Sequence, residues 1–272
     1  MNALFANFAT GLDPVEVFRR SGHEPDPWQA EVLTTRASQF MLNCSRQVGK
    51  SEVVAAVAMH EAFYYPPALV LLLSPSERQS GELFRKVMDF YHRMPDQPLA
   101  TYESVLRAEW ANGSRVISLP GKEGTIRGFS GVRLILVDEA SRVADALYTS
   151  VRPMLAVSGG RIGLLSTPYG KRGFFFREWT EGTGWQRIQI PATECPRISP
   201  AFLEQERASM PDREFDQEYM CQFAETDDQV FRYDDIMRAF DNDIEPLFQD
   251  GAYMGAEPAA EDSGEVKMLR FD

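Results

Sequence analysis

Residues 43–52 of this chain read NCSRQVGKSE, and this stretch decides the fold. The short apolar run at 40–42 before it predicts a buried strand, and the apolar run at 53–59 after it predicts a helix buried nearly all round. A strand, a loop ending in Gly-Lys-Ser and then a helix form the context of a phosphate-binding loop. The loop amides and the helix N-terminus present hydrogen-bond donors and partial positive charge to a polyphosphate.

The loop departs from the usual pattern at one position. The motif G-x-x-x-x-G-K-[ST] begins with glycine, and this chain has Cys44 there. Lys50 can reach the β and γ phosphates of a nucleotide, and the Ser51 hydroxyl can join the coordination shell of Mg²⁺. The alternative is a Gly-Lys-Ser that only caps a helix. Other motifs in the chain have to distinguish between these two interpretations. The residues predicted to bind nucleotide are Cys44, Ser45, Arg46, Gln47, Val48, Gly49, Lys50 and Ser51.

Two acidic residues follow another predicted strand. The apolar run at 133–137 leads directly into Asp138 and Glu139. Ligands of open α/β sheets bind at the carboxyl ends of the strands. We predict that Asp138 holds Mg²⁺, directly or through water, and that Glu139 orients and deprotonates the attacking water. Two adjacent acids can also be a plain helix N-cap, but the Gly-Lys-Ser loop upstream favours the functional interpretation.

Further apolar runs predict the remaining elements. Strands are expected at 68–74 and 161–165, a hairpin at 105–119 and an edge strand at 185–190. Helices are expected at 77–93, 144–155 and 174–179, with two more starting near Ser199 and Asp212. The predicted fold class is therefore α/β, a mostly parallel sheet with helices on both faces and an added β-hairpin and edge strand.

Three further features point towards a nucleotide. Gln29 lies just ahead of the phosphate loop, and its amide can pair with an adenine edge, although a surface glutamine is the alternative. Ser166 and Thr167 follow the strand at 161–165, where hydroxyls can reach a γ-phosphate or simply form a turn. The glycine-rich segment 121–131 carries two cations and predicts a mobile loop that delivers charge.

Composition excludes several classes of protein. The 272 residues are 44% hydrophobic, which is enough for a full core. No run of about 18 uncharged apolar residues predicts a membrane span, and the first ten residues lack the basic start of a signal peptide. Three cysteines and three histidines show no metal-ligand spacing, which is typical of a reduced, cytoplasmic protein.

The net charge of −12 is unevenly distributed. Residues 225–272 hold fourteen acidic and four basic side chains, a balance of −10, which leaves residues 1–224 near −2. A nearly neutral body offers no bulk basic footprint, so any contact with nucleic acid must be local.

Taken in order, these motifs resemble one family: the ATPase domain of the large terminase subunits that package DNA in tailed bacteriophages and prophages. The resemblance rests on CSRQVGKS, LILVDEA, LLSTPYG and REFDQEYMCQF. The first is similar to the family's deviant phosphate loop, which often lacks the first glycine and contains an arginine. The implied organisation is a helical lead-in at 1–24, a phosphate-loop NTPase domain of RecA/ASCE type at 25–231 and an acidic tail at 232–272.

The resemblance implies roles for individual residues. Gln29 would read adenine, and Arg46 would contact the γ-phosphate from within its own loop. Ser166 and Thr167 would couple hydrolysis to domain movement. Arg127, in the glycine-rich segment, would act as an arginine finger on the neighbouring subunit.

A guanidinium suits that finger role because it neutralises charge that develops on the transferring phosphoryl group, an effect of about 10³–10⁵ in rate. Lys122 and Arg133 are the alternatives to Arg127 for the same role. Together with Arg46, the predicted catalytic residues are Lys50, Glu139 and Arg127.

The implied activity is ATP hydrolysis with Mg²⁺ that drives double-stranded DNA into a procapsid in the bacterial host cytoplasm. The implied partners are the DNA, a portal protein and a small terminase subunit, with no membrane. The chain would be a slowly hydrolysing monomer in isolation and a homo-oligomeric ring when assembled.

Large terminases usually continue into an RNase H-like nuclease. Residues 252–264 resemble the opening strand of that domain, with Glu257 at the place of its first catalytic aspartate. Since the other acids of such a site are missing, no nuclease activity is expected from this chain. The tail would be a nuclease remnant, a flexible tail or the docking edge of a separate nuclease chain.

Two other functions fit part of the pattern. A helicase-like DNA-dependent ATPase shares the glutamine and the acidic pair, but it needs a second motor domain that the residues after 231 are not expected to supply. A non-catalytic nucleotide-binding assembly subunit would fit the altered first position of the loop. Such a decayed site is expected to lose Lys50, Ser51, Asp138 and Glu139 first, and all four are present.

Overall fold

An eight-stranded sheet carries the site. Its strands are β1 Gln39–Cys44, β2 Leu69–Ser74, β3 Ala100–Glu103, β4 Arg107–Trp110, β5 Arg115–Pro120, β6 Val132–Asp138, β7 Arg161–Ser166 and β8 Gln186–Ile190. They lie in the order β3-β4-β5-β2-β6-β7-β1-β8. Six neighbouring strands pair in parallel, in the order β5, β2, β6, β7, β1 and β8. Strands β3 and β4 add an antiparallel end. The predicted mostly parallel sheet with a hairpin and an edge strand is confirmed.

The computed structural model describes residues 3–94, 97–121 and 128–225, with side chains from residue 7 onwards. All of these residues belong to one compact unit, Met1–Gln229. The predicted finger Arg127, its alternative Lys122, the end of the proposed ATPase domain and the acidic tail with Glu257 lie outside the described residues.

Nine helices occur in this part of the chain. They are α1 Ala3–Leu12, α2 Val15–Arg20, α3 Pro27–Thr34, α4 Lys50–Tyr64, α5 Glu77–Arg93, α6 Asp145–Val151, α7 Gly173–Thr180, α8 Pro200–Ser209 and α9 Asp212–Glu218. None of the described helices is both long and apolar enough to cross a membrane.

Helices cover both faces of the sheet, as predicted. Along β1, Phe40 and Leu42 pack into a core that includes α2 to α5, whereas Met41 packs into a second core with α6 and α7. The same alternation runs through β2 and β6, because successive side chains of a strand point to opposite faces. Both faces are therefore buried, which explains why these strands read as continuous apolar runs.

The parallel register brings three strand ends to one edge. Asp138 at the end of β6 pairs with Leu165 of β7, and Ser166 at the end of β7 pairs with Asn43 of β1. The phosphate loop starts one residue after Cys44, at that same edge. The sheet thus collects motifs that are far apart in the sequence.

Some predicted boundaries were wrong for physical reasons. The helix expected at 144–155 ends at Val151 and continues as a 3₁₀ turn, Arg152–Leu155, since Pro153 has no backbone N–H to donate to the helix. Strand β4 begins at Arg107 rather than 105, and Val105 is 80% exposed. Helix α9 ends at Glu218 rather than near 222, because Cys221 adopts a left-handed conformation with φ 58°.

Candidate nucleotide-binding site

A cavity of about 840 Å³ opens at the carboxyl edge of the sheet. This volume falls in the range of pockets that bind small molecules, roughly 300–1,000 Å³. The cavity is lined by the phosphate loop, by the end of β6 and by residues from α2, α3 and α5 with their loops. Its predicted members are Gln29, Ser45, Arg46, Gln47, Gly49, Lys50, Ser51, Glu139 and Thr167.

The loop has the backbone of an anion cradle. Gln47 and Gly49 have positive φ angles of 62° and 96°. The amides of Gln47, Val48 and Gly49 donate no hydrogen bond within the described part of the chain. Helix α4 begins immediately afterwards at Lys50, with its positive dipole end facing the loop. Free donors at a helix N-terminus are suited to bind phosphate oxygens.

Gly49 is required for steric reasons as well. A Cβ at this position would lie 2.8 Å from Gln29 Nε2 and 3.3 Å from an Arg197 guanidinium nitrogen. The loop is therefore packed from outside by Gln29 and Arg197, and a larger residue would have to displace the Gln29 amide.

Cys44 and Val48 do not line the cavity. Cys44 is fully buried as the last residue of β1, where it pairs with Ile190 of β8. Burial raises the pKa of its thiol to about 12, so the sulfur stays protonated and unreactive. The altered first position of the motif is thus a buried strand residue.

Lys50 meets both predicted carboxylates. Its Nζ lies 2.8 Å from Glu139 Oε1 and 3.9 Å from Asp138 Oδ1. Burial lowers the pKa of Lys50, but the charges of Asp138 and Glu139 outweigh burial, and the pKa lies above its ordinary value. The ammonium therefore stays charged although the side chain is only 10% exposed.

Asp138, the predicted metal ligand, lies buried beside Lys50. Its carboxyl group is buried, and burial raises its pKa although Lys50 opposes the shift. Its Oδ1 accepts no hydrogen bond from the described residues. A buried carboxylate oxygen without a donor is costly unless a cation or a metal-bound water occupies the position. Ser51 lines the cavity, whereas Asp138, the other residue predicted to hold Mg²⁺, is not among the residues that line it.

Glu139 sits in a strained conformation. Its φ and ψ of 51° and 41° are left-handed, which is uncommon for a residue with a side chain. Such strain persists where surrounding contacts hold it, and it is frequent at functional sites. The Lys50 ion pair and the turn that follows Glu139 supply these contacts.

That turn is bonded to the predicted coupling residues. Ser141 Oγ lies 2.6 Å from Ser166 Oγ, and the Ser141 amide donates to the same Ser166 oxygen at 3.1 Å. Thr167, the next residue, lines the cavity. Ser166 therefore links the position of the Glu139 turn to the end of β7. No sequence pattern marked Ser141 beyond its place two residues after Glu139.

Arg46 is bound to α9. Its Nε and Nη2 both pair with the Glu218 carboxylate, the Nη2 at 3.2 Å from Oε1, and its amide donates to the Glu218 carbonyl at 3.2 Å. The hydrogen bond to Glu218 raises the pKa of Arg46. The side chain remains 59% exposed, which leaves it free to change partners. Glu218 lies 172 residues from Arg46, and no sequence pattern linked the two.

Gln29 is buried, so the alternative of a surface glutamine is wrong. Its Oε1 accepts from the Asp26 amide at 2.8 Å, and its Nε2 donates to the Gly49 carbonyl at 3.4 Å. One amide hydrogen and one oxygen lone pair remain, which is what a bidentate contact with an adenine edge requires.

Nine residues that line the cavity were not predicted from the sequence, among them Arg197, Arg142 and His23. Arg197 donates to Asp26 Oδ1 at 2.9 Å and to the Val48 carbonyl at 2.7 Å, which fixes the loop from the α8 side. Arg142 stacks over the Tyr169 ring at 4.0 Å, and His23 precedes α3. These residues stand in turns and loops without periodicity, so only the packing of distant segments reveals them.

Comparisons with known proteins agree with this geometry. A sequence model of the family described as "Terminase large subunit, T4likevirus-type, N-terminal" matches residues 41–238. The terminase large subunits of Thermus phage G20c and Thermus virus P23-45 are each 24% identical to the chain, over 79% of this chain and 52% of theirs. The chain thus spans about half the length of the curated relatives it matches.

Solved structures with the same fold are also large terminases. The large terminase ATPase domain of Thermus phage P74-26 has a TM-score of 0.66 at 20% identity, over 76% of this chain and 97% of that one. The HK97 bacteriophage large terminase has a TM-score of 0.64 at 12% identity, over 78% and 55%. The predicted RecA-like phosphate-loop fold is therefore confirmed.

Proposed function

Because the chain belongs to the terminase large subunit family, in its T4likevirus-type N-terminal part, we propose that it hydrolyses ATP to drive double-stranded DNA into a viral procapsid. One observation carries this proposal. The Lys50 ammonium lies within 3.9 Å of both the Asp138 and the Glu139 carboxylates, beside loop amides that donate no hydrogen bond to the described residues. The large terminase of a thermophilic bacteriophage has been solved with ADP and with ATP-gamma-S, which supports a nucleotide as the ligand here.

The phosphates would bind the loop amides and the Lys50 ammonium. Ser51 and Asp138 would hold Mg²⁺, which neutralises charge on the β and γ phosphates when bound. The buried Asp138 oxygen without a hydrogen-bond donor among the described residues supports this assignment.

Lys50 also restrains the proposed general base. Its ammonium lies 2.8 Å from the Glu139 carboxylate. A γ-phosphate would compete for the ammonium and release the Glu139 carboxylate, which then accepts a proton from the attacking water. The base becomes available when the substrate is in place, and Ser141 and Ser166 would transmit the movement of the Glu139 turn to β7.

Two arginines complete the proposed catalytic set. Arg46 would exchange Glu218 for the γ-phosphate, since the two partners compete for one guanidinium. Arg127 would reach the active site of a neighbouring subunit. That role rests on the family resemblance, and it would explain slow hydrolysis by an isolated monomer.

The proposed setting is a homo-oligomeric ring in the host cytoplasm, in contact with DNA, a portal protein and a small terminase subunit. Nuclease activity is not assigned to residues 1–272 and would come from elsewhere, such as a separate chain.

Phosphate release from ATP by the purified chain tests the proposal. Lys50→Ala and Glu139→Gln should each abolish turnover. Arg85→Ala should not, because Arg85 is exposed and pairs with Glu82 on the outer face of α5. Turnover by Glu139→Gln at the wild-type rate would contradict the assignment. Nucleotide binding without hydrolysis in an assembled wild-type ring would favour a non-catalytic assembly subunit.

A further inference from the structure

The cavity extends past Gln29 to residues that no motif predicted. Phe18, Gly22, His23 and Glu24 line this end of it. We propose that His23 forms a base-stacking subsite, in which the aromatic base of a nucleotide lies on the imidazole ring. This inference rests on the proposed nucleotide-dependent function, and it adds a residue that contacts the base rather than the phosphates.

The imidazole is the outer layer of an aromatic stack. The His23 and Phe90 rings are nearly parallel, at 13° with centroids 5.2 Å apart, and Phe18 meets both rings edge-on. Phe18 and Phe90 are buried, at 2% and 3% exposure. His23 lines the cavity, whereas Phe90, stacked against it, does not. A planar ring backed by another ring is a ready platform for a base.

Hydrogen bonds fix the plane of the imidazole. Arg93 Nη1 lies 3.4 Å from His23 Nε2, and a guanidinium can only donate, so Nε2 is the acceptor. Nδ1 then carries the proton and donates to Ser21 Oγ at 3.0 Å, and Ser21 Oγ donates to the Phe18 carbonyl at 2.8 Å. Both ring nitrogens are thus engaged and one face covers Phe90. The other face is the part of the ring left for a ligand.

The backbone places His23 rigidly at the end of α2. The His23 amide donates to the Phe18 carbonyl at 3.0 Å, and the Gly22 amide donates to the Arg19 carbonyl at 3.0 Å. With Gly22 at φ 87°, these bonds form a Schellman motif that ends the helix. The segment is therefore ordered before any ligand arrives, which limits the entropy cost of binding.

Two elements place this platform beside the phosphate loop. Gln29, six residues after His23, is bonded to Gly49 of the loop. On α5, Lys86 pairs with Glu52 of α4 at 2.5 Å, and Phe90 follows Lys86 one helical turn later on the same face. A base next to the loop would therefore have its edge read by Gln29 and its face covered by His23.

The two residues predict different specificity. Stacking tolerates every base, because each base has a π-face, whereas the Gln29 amide matches one pattern of donors and acceptors. Loss of His23 should weaken the binding of ATP and the binding of GTP by the same factor. Loss of Gln29 should change the ratio of the affinity for ATP to the affinity for GTP.

Calorimetric titration of the full chain with ADP and with tripolyphosphate, both with Mg²⁺, tests the platform. His23→Ala should weaken ADP binding about 5-fold to 100-fold, the range expected for one lost base–aromatic stack. Tripolyphosphate has no base, and its affinity should not change. His23→Phe should restore ADP binding, because the phenyl ring keeps the stacking face.

His92→Ala is the matched control, since His92 is exposed on α5, lies near Glu103 and is not among the cavity residues. Unchanged ADP affinity in His23→Ala would overturn the platform, as would equal losses for ADP and tripolyphosphate or failure of the phenyl ring to restore binding. Lys50→Ala separates the two proposals. If neither ADP nor tripolyphosphate binds the wild type, or if Lys50→Ala leaves both affinities intact, the nucleotide function itself is wrong.

Discussion

Lys50 and Glu139 are 89 positions apart in the sequence, and their side chains are joined by a 2.8 Å hydrogen bond. This contact exists because β1 and β6 run parallel, with only β7 between them, and end at the same edge. The ion pair keeps both charges compensated in a largely buried site. It also sets the order of events proposed for hydrolysis, since the phosphate must take the ammonium before the carboxylate is free.

The Arg46–Glu218 pair should oppose substrate binding. Glu218→Gln removes the competing charge, so the KM for ATP should fall by up to about fivefold, as expected for an exposed ion pair. Arg46→Ala should lower kcat by about 10²–10³, the usual effect of losing a donor to transition-state charge. Steady-state kinetics measure both. A higher KM for Glu218→Gln would show that the pair supports the active loop instead.

The buried charge of Asp138 should lower the free energy of unfolding of the protein when no nucleotide is added. Asp138→Asn removes the charge of a buried carboxylate whose Oδ1 has no hydrogen-bond donor among the described residues. Lys50 retains its ion pair with Glu139. The free energy of unfolding should rise by about 1 kcal/mol, while turnover is lost. Urea denaturation and phosphate release measure the two effects.

Asp145→Asn is the control for that change. Asp145 accepts from the Phe174 amide at 2.8 Å and pairs with Arg177 at 2.7 Å, so its replacement should destabilise the fold. Destabilisation by Asp138→Asn as well would mean that its contact with Lys50 outweighs the cost of burial.

Gly49 should be more sensitive to alanine than another glycine of similar backbone. Gly49→Ala meets Gln29 Nε2 at 2.8 Å, whereas Gly113→Ala, at φ 83°, meets Pro67 at 3.4 Å, an acceptable distance. Both substitutions cost about 1–2 kcal/mol for the left-handed conformation. Thermal denaturation should show the larger loss for Gly49→Ala, together with weaker ADP binding. Equal losses of thermal stability in the two variants would mean that the Gln29 side chain moves aside without a cost in free energy.

His60 should make stability depend on pH. Burial lowers its pKa to about 4, whereas an unfolded histidine has a pKa of about 6.5. Between these values the unfolded chain binds a proton that the folded chain does not, so stability falls as the pH drops from 6.5 towards 4. At pH 5 the His60 contribution should amount to about 2 kcal/mol relative to pH 7.5.

His60→Asn should remove this contribution, and His92→Gln should leave it in place because His92 is exposed. Urea denaturation at pH 5 and pH 7.5 measures the difference for each variant. An unchanged difference in His60→Asn would assign the pH dependence to the carboxylates.

The sequence determined the elements whose information is local. Helix α5 was expected at 77–93 and runs over Glu77–Arg93, because Ser76 caps it and Leu83, Phe84 and Val87 form its buried stripe. The buried strands could also be predicted from the sequence, since a strand buried on both faces must be apolar at every position. Strand β3 was missed because its residues are largely exposed and lack a buried alternating face.

The loop, the acidic pair and Gln29 were also predicted from the sequence, because phosphate binding requires particular residues at fixed spacing next to a strand and a helix. Only the tertiary structure decided their partners. Arg197 and His23 line the same cavity from distant loops, Glu218 of α9 pairs with Arg46, and Ser141 bonds to Ser166. Such contacts depend on strand order and on the crossing of helices, and neither is encoded in a local pattern of residues.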